Sequence, residues 1–260
     1  MSKAKTKSGK RAPVMMIHGG FCGPWVFDAF ARKFEAAGYA VHRPALRFHD
    51  LAKPPAALGT TSLGDYAADL GEAVTALKDA PILVGHSLGG LLAQMLAARH
   101  VVKACVLLAP SAPWGVPPST LFEIGAAQAM LLQAGFWNQI LSPDSTIAGW
   151  HFLDRYAPAD RDALFKRFGP ESGRATFEMM HWGMDMNRAS EVDASKVSCP
   201  LLVIAGGEDR MHPPGTVKRI AELYGQRATF EKMVGMSHWL IGEPGWEKVA
   251  DRSLEWLETI

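Results

Sequence analysis

Short apolar runs bounded by glycine or proline alternate along the chain with longer amphipathic stretches. Buried strands form such runs, and helices between them complete the pattern of a parallel sheet. The predicted strands are Val14–Ile17, Tyr39–Arg43, Ile82–Gly85, Ala104–Ala109, Leu201–Ala205 and Thr229–Val234. The predicted helices are Val26–Ala37, Leu63–Lys78, Leu88–His100, Thr216–Tyr224 and Trp246–Thr259. This pattern predicts an α/β fold with a mostly parallel sheet of about six strands flanked by helices.

Residues 113–193 interrupt the alternation, because they contain helical pieces but no convincing parallel strand. We interpret this segment as an inserted helical cap, with residues 13–112 and 194–260 forming the α/β core. The cap segment is rich in large, soft side chains that can line an apolar pocket or simply pack the cap onto the sheet. They are Met130, Phe136, Trp137, Trp150, Phe152, Met179, Met180, Trp182, Met184 and Met186.

The overall composition is that of an ordinary globular protein, with 48% hydrophobic residues, 20% charged residues and a formal net charge of +1. Such a balance gives no reason to expect a nucleic-acid partner. Residues 1–12 are predicted to be a flexible basic tail, and neither a signal peptide nor a membrane span is recognisable. The three cysteines suggest neither disulfides nor a zinc site, so we expect a cytoplasmic protein without membrane association.

A candidate nucleophile stands in Gly85-His86-Ser87-Leu88-Gly89, which matches the G-x-S-x-G nucleophile elbow. The pentapeptide alone is a weak signal, but a buried strand precedes it and a strong helix former follows it. In that setting the serine sits on a tight turn at the positive end of a helix dipole. We therefore predict that Ser87 is the nucleophile rather than a simple helix cap.

A serine hydroxyl needs a neighbouring imidazole to accept its proton, and the imidazole needs a carboxylate on its other nitrogen. His238 follows the last predicted strand and is the predicted base. His86 is expected to point away from the serine hydroxyl. Asp209 follows the buried strand Leu201–Ala205 and is the predicted acid, with Glu208 as the alternative. The chain order serine, acid, histidine is the one expected of such a fold.

The loop His18-Gly19-Gly20-Phe21 follows the first strand and faces the elbow if the two strands are neighbours. A tetrahedral oxyanion is stabilised by backbone N–H groups. We predict the amides of Gly20 and Leu88 as its donors, with Phe21 as the alternative to Gly20. Phe21, Trp182 and Trp239 are the predicted substrate-binding side chains.

These four motifs together resemble the α/β-hydrolase superfamily. They are H-G-G after the first strand, G-H-S-L-G-G at the elbow, G-G-E-D-R after a late strand and G-M-S-H-W near the end. The first loop is similar to that of small carboxylesterases and of plant esterase and hydroxynitrile lyase relatives, which implies an ester or related acyl substrate. No room remains before Val14 for the first two strands of the full eight-stranded sheet. Serine replaces the aspartate that similar dehalogenases and epoxide hydrolases use, which disfavours those activities.

The leading hypothesis is therefore a serine hydrolase that cleaves a carboxylic ester of a small or medium apolar substrate through an acyl-enzyme on Ser87. No metal and no organic cofactor are implied, and the expected partner is a small-molecule ester. Similar proteins use the same triad as lactonases, other acyl hydrolases, C–C bond hydrolases or hydroxynitrile lyases, and a non-catalytic ligand receptor is a further alternative. The sequence specifies neither the natural substrate nor the oligomeric state.

Overall fold

The computed structural model describes residues 11–260, so ten of the twelve residues of the predicted basic tail lie outside the described part of the chain. Eight strands are found within it: β1 (Val14–Ile17), β2 (Val41–His42), β3 (Ile82–His86), β4 (Ala104–Leu108), β5 (Ile140–Leu141), β6 (Glu171–Ser172), β7 (Leu201–Gly206) and β8 (Ala228–Met233). Six of them form one sheet in the order β2-β1-β3-β4-β7-β8, with every neighbouring pair parallel. The predicted six-stranded parallel sheet is confirmed.

Nine α-helices lie within the same described range: α1 (Asp28–Ala36), α2 (Leu63–Thr75), α3 (Leu88–Ala97), α4 (Leu121–Met130), α5 (Ser145–His151), α6 (Pro158–Phe165), α7 (Gly173–Met180), α8 (Pro214–Glu222) and α9 (Trp246–Leu257). The predicted helix Val26–Ala37 differs, because its first residues belong to a 3₁₀ turn, Pro24–Phe27, and the α-helix begins only at Asp28. α8 begins two residues earlier than predicted, because Pro214 suits the first helical position.

The sheet is buried on both faces because successive side chains along a strand point to opposite sides. Met15, Leu83 and Val203 pack on one face against α2, α3 and α8. Their neighbours in sequence, such as Val14 and Val84, pack on the other face against α1 and α9. This two-sided burial explains why the strands read as continuous apolar runs rather than as alternating ones.

The segment 113–193 holds α4 to α7 together with an antiparallel pair, in which Ile140 lies opposite Ser172 and Leu141 opposite Glu171. Several of its large apolar side chains are exposed, among them Trp150 at 63% and Met186 at 93%. No residue of α4 is buried. Packing of this segment on the sheet therefore does not account for all of these side chains. None of the helices in residues 11–260 is both long enough and apolar enough to cross a membrane.

The parallel arrangement brings four sequence motifs to one edge of the sheet. β1, β3, β7 and β8 all run in the same direction, so the residues that follow them meet at their carboxyl ends. Ligand sites of open α/β sheets lie at this edge. The segment 113–193 also starts from it, because it follows the end of β4.

Candidate active site

Ser87 occupies a sharp turn between β3 and α3, with φ of 54° and ψ of −121°. A positive φ is unfavourable for any residue with a Cβ, so the surrounding structure must hold this turn in place. A Cβ on Gly85 would lie 2.3 Å from the carbonyl oxygen of Gly89, and one on Gly89 would lie 2.0 Å from the carbonyl oxygen of Ile17. α3 therefore approaches both β3 and the end of β1 this closely only because Gly85 and Gly89 have no side chains. The Ser87 hydroxyl makes no capping hydrogen bond to α3, which leaves it available for chemistry.

His238 and Asp209 form a buried hydrogen-bonded pair. The Nδ1 atom of His238 lies 2.9 Å from Oδ2 of Asp209. Burial raises the pKa of Asp209 to about 7, whereas the backbone N–H groups of Met211 and His212, which donate to Oδ1 at 2.8 and 2.9 Å, favour its ionised form. Since Nδ1 donates to the carboxylate, neutral His238 keeps its lone pair on Nε2. The alternative acid, Glu208, is exposed.

Two further histidine rings pack against His238, with centroid distances of 4.9 Å for His86 and 5.0 Å for His212. The Nε2 atom of His86 lies 2.8 Å from the carbonyl oxygen of His238 and donates to it. Burial lowers the pKa of His86 and that of His212 to about 3, so both rings are neutral near pH 7. Burial also lowers the pKa of His238, which keeps it in the form that accepts a proton.

The loop after β1 lies against the elbow, since a Cβ on Gly19 would be 3.1 Å from Cβ of Ser87. Phe21 has a φ of 59°, and its N–H donates to Oε2 of Glu171 at 3.2 Å. The amides of Gly20 and Leu88 donate to no acceptor within residues 11–260. The Phe21 amide is thus occupied, whereas the two amides predicted as oxyanion donors are free.

A cavity of about 1190 Å³ opens over the serine turn and has both Ser87 and His238 in its wall. This volume lies above the usual range of about 300 to 1,000 Å³ for small-molecule sites. The three predicted substrate-binding residues also line it: Phe21, Trp182 and Trp239. Trp182 packs against Trp114, and Trp239 is buried beside Phe168. Most of the remaining wall is apolar and comes from the segment 113–193, with Leu121, Phe122, Ile124, Met130, Ile147, Phe152, Met179 and Met180.

A buried polar cluster behind the loop could not be predicted from the sequence. The Glu171 carboxylate accepts from the Tyr66 hydroxyl at 2.7 Å and lies 3.2 Å from Nε2 of His49. The Glu171 and His49 side chains are each only 2% exposed. A single glutamate in a two-residue strand, 150 residues from its partner Phe21, carries no local signal. Within the described range, no three His, Cys, Asp or Glu side chains are arranged to hold a metal ion.

Comparison with known proteins places these features in a family. The model of the alpha/beta hydrolase family matches residues 14–252, and the chain therefore belongs to that family. The resemblance inferred from the motifs is confirmed. The chain is also 32% identical to the pyrethroid hydrolase of Sphingobium wenxiniae over 117 residues. That match covers 41% of this chain and 39% of that protein, so it spans about two fifths of the relative's length.

Solved structures of other proteins share the fold of this chain. The methylesterase MES16 of Arabidopsis superposes with a TM-score of 0.74 at 13% identity, covering 96% of this chain and 100% of that one. The monoacylglycerol lipase of Paleococcus ferrophilus gives a TM-score of 0.67 at 23% identity, covering 95% of each chain. Identities this low establish the fold alone, which is the predicted α/β-hydrolase fold.

Proposed function

We propose that this protein is a serine hydrolase that cleaves carboxylic esters of apolar substrates through an acyl-enzyme on Ser87. One observation carries the proposal: the strained serine turn and the His238–Asp209 pair open into the same apolar cavity. A serine whose backbone is strained and which shares a cavity with a carboxylate-paired histidine is typical of a nucleophile. A serine that merely caps a helix would instead accept a hydrogen bond from a helix N–H group with its hydroxyl.

In the first half of the reaction, Oγ of Ser87 attacks the ester carbonyl carbon and Nε2 of His238 takes the serine proton. The Asp209 carboxylate stabilises the charged imidazole through Nδ1. The carbonyl oxygen becomes an oxyanion, and the free amides of Gly20 and Leu88 donate to it. Leu88 is the first residue of α3, so the helix dipole adds a favourable field at this point.

Collapse of the tetrahedral intermediate releases the alcohol, which takes its proton from His238 and leaves the acyl group on Ser87. A water molecule then attacks the acyl carbon while His238 accepts the water proton. As the second tetrahedral intermediate collapses, Oγ of Ser87 leaves and takes the proton back from His238, which releases the acid and restores Ser87. The whole cycle needs only groups of the chain and water.

The cavity wall supports an apolar substrate of considerable size. Its volume of about 1190 Å³ and its lining of methionine, phenylalanine, leucine and isoleucine side chains suit a bulky hydrophobic ester rather than a small polar one. The similarity to a pyrethroid hydrolase is in keeping with such substrates.

Turnover of p-nitrophenyl esters with acyl chains of two to twelve carbons tests the proposal, with kcat/KM measured for each. We expect kcat/KM to rise from acetate to medium-chain esters. Ser87→Ala should lose at least about 10³-fold in kcat while keeping its melting temperature. Ser198→Ala, which changes an exposed serine outside the cavity, is the matched control and should behave as the wild type.

A fluorophosphonate provides an independent readout, because it reacts covalently only with an activated serine. Mass spectrometry of the labelled protein should find the adduct on Ser87 and none in Ser87→Ala. Ester turnover that survives in Ser87→Ala, or an adduct on another serine, would rule out the proposed nucleophile.

A further inference from the structure

The backbone of Phe21 is held on both sides by the segment 113–193. Its N–H donates to Oε2 of Glu171 at 3.2 Å, and its carbonyl oxygen accepts from the N–H of Gly169 at 2.9 Å. Phe21 also has a φ of 59°, a backbone conformation that non-glycine residues rarely adopt without support. The bend of the loop that carries Gly20 is thus braced by a distant part of the chain.

The Glu171 carboxylate is fixed by four donors. Tyr66 Oη and the N–H of Ser172 donate to Oε1 at 2.7 and 2.6 Å. Phe21 N–H and His49 Nε2 donate to Oε2, each at 3.2 Å. A buried carboxylate with this many charge-assisted bonds has a single well-defined position.

His49 is the counter-charge of Glu171. Its Nδ1 lies 3.0 Å from the carbonyl oxygen of Arg47, and its Nε2 faces the carboxylate. Both nitrogens face acceptors, so both donate and the ring is an imidazolium. Burial opposes this charge, but the Glu171 carboxylate outweighs it and raises the pKa of His49. The His49–Glu171 pair therefore carries no net charge. An unpaired carboxylate at this position would repel the negative charge that develops on the substrate oxygen in the proposed reaction.

The same carboxylate borders Gly20. A Cβ on Gly20 would lie 3.2 Å from Oε2 of Glu171, so a side chain at this position would press against the carboxylate. One oxygen atom therefore accepts from the Phe21 amide and limits the space beside Gly20, whose own amide is free.

From this geometry we infer that Glu171 is a positioning residue for the oxyanion hole. It holds the Phe21 amide away from the substrate, so that the Gly20 amide is the donor that faces the carbonyl oxygen. His49 cancels the charge that would otherwise repel the oxyanion. This inference rests on the proposed esterase function, and it gives the segment 113–193 a part in catalysis besides lining the cavity.

Glu171→Ala, Glu171→Gln and Glu178→Ala test it. Glu178 is the matched control, because it is also a buried glutamate of this segment and accepts from a core amide, that of Leu63, at 2.7 Å. Within residues 11–260, Glu178 makes no hydrogen bond to the loop after β1. Glu171→Ala should lower kcat by about 10²-fold with KM within about threefold of wild type, as loss of an oxyanion donor does. Glu171→Gln keeps an acceptor for Phe21 and should recover most of that loss, and Glu178→Ala should stay near wild type.

The binding of two ketones distinguishes two roles of Glu171: positioning the oxyanion donor, or only holding the segment 113–193 against the loop after β1. A trifluoromethyl ketone adds the Ser87 oxygen and forms an oxyanion, whereas the matching methyl ketone binds without needing the hole. In Glu171→Ala, affinity for the trifluoromethyl ketone should fall by the same factor as kcat, with the methyl ketone unchanged. An equal loss for both ketones, or the same loss in Glu178→Ala, would overturn the inference.

If Glu171→Ala does not fold, His49→Gln and the double variant His49→Gln/Glu171→Gln give the answer. His49→Gln leaves a carboxylate without its cation beside Gly20, so kcat should fall, and the double variant should recover at least about tenfold. Absence of recovery would overturn the inference. Failure of the proposed function itself would look different, because the wild type would then neither hydrolyse esters nor prefer the trifluoromethyl ketone.

Discussion

Replacing Gly85 with alanine tests whether the serine turn depends on the close approach of β3 and α3. The added Cβ would lie 2.3 Å from the carbonyl oxygen of Gly89 and 2.8 Å from the α-carbon of Gly90. Both neighbours are backbone atoms, so no side chain can rotate away to make room. The shorter distance falls about 1 Å below an ordinary van der Waals separation, and α3 must shift by a similar amount.

The size of the effect follows from that shift. Overpacking of a dense core costs about 1 to 3 kcal/mol and occasionally more, which for a protein of this length lowers the melting temperature by about 2 to 12 °C. Ser87 directly precedes the displaced helix, so its oxygen moves relative to His238 and the amide of Gly20. A misplacement of about 1 Å reduces turnover by about 10²-fold.

Thermal unfolding followed by circular dichroism and kcat/KM for a p-nitrophenyl ester would measure both effects. Gly64→Ala is the control, because Gly64 is an exposed residue of α2 and a Cβ added to it would have Oγ of Ser62, at 3.4 Å, as its nearest neighbour. That variant should be equally active and slightly more stable, since alanine favours helices. A Gly85→Ala protein with wild-type stability and turnover would refute the close-packing account of the elbow.

Two other predictions concern the base and its partner. Asp209→Asn should lower kcat by up to about 10⁴-fold, as in comparable triads, whereas the exposed Glu208→Gln should remain within about twofold of wild type; the reverse result would identify Glu208 as the acid. In the proposed mechanism Asp209 acts as a carboxylate and His238 as a neutral ring. Burial raises the pKa of Asp209 to about 7 and lowers that of His238, so kcat/KM should rise with pH through about 7 and then level off. A pH profile with a non-ionising ester checks this, and activity that stays level down to about pH 5 would contradict it.

The inner strands of the sheet could be predicted to within one residue from the pattern of apolar runs along the chain. β4 and β7 are apolar runs, and Pro200 stands directly before β7. The sequence predicts an outer strand over Tyr39–Arg43, but β2 spans only Val41–His42. It pairs on one side with β1, and the extent of that pairing rather than local sequence sets its ends.

The segment 113–193 is harder to predict, because its elements depend on distant contacts. The strands β5 and β6 have two residues each and are joined by pairing across some thirty positions, too short for any periodic pattern. α4 is almost uncharged, which favours a buried helix, yet none of its residues is buried. Its inner side faces the cavity, so the apolar surface is explained by an open site rather than by a core.

The candidate site also has a part that the sequence predicts and a part that it does not. Ser87, Asp209 and His238 each follow a strand in a short recognisable motif, and the structure brings the three loops together. Glu171 follows no strand of the main sheet and belongs to no motif. Its position depends on how the segment 113–193 folds back over the loop after β1, which only the three-dimensional structure shows.

The placement of this segment between two adjacent strands has a consequence for how such proteins diversify. β4 and β7 pair directly, although Leu108 and Leu201 are separated by the whole insertion. Closing a connection of about 90 residues instead of about 20 costs only about 1.3 kcal/mol of loop entropy, because the cost grows with the logarithm of length. Insertions of very different size can therefore be accepted at this point without weakening the sheet. Much of the cavity wall can thus be exchanged in one stretch of the gene while the strands that carry Ser87, Asp209 and His238 are encoded outside it.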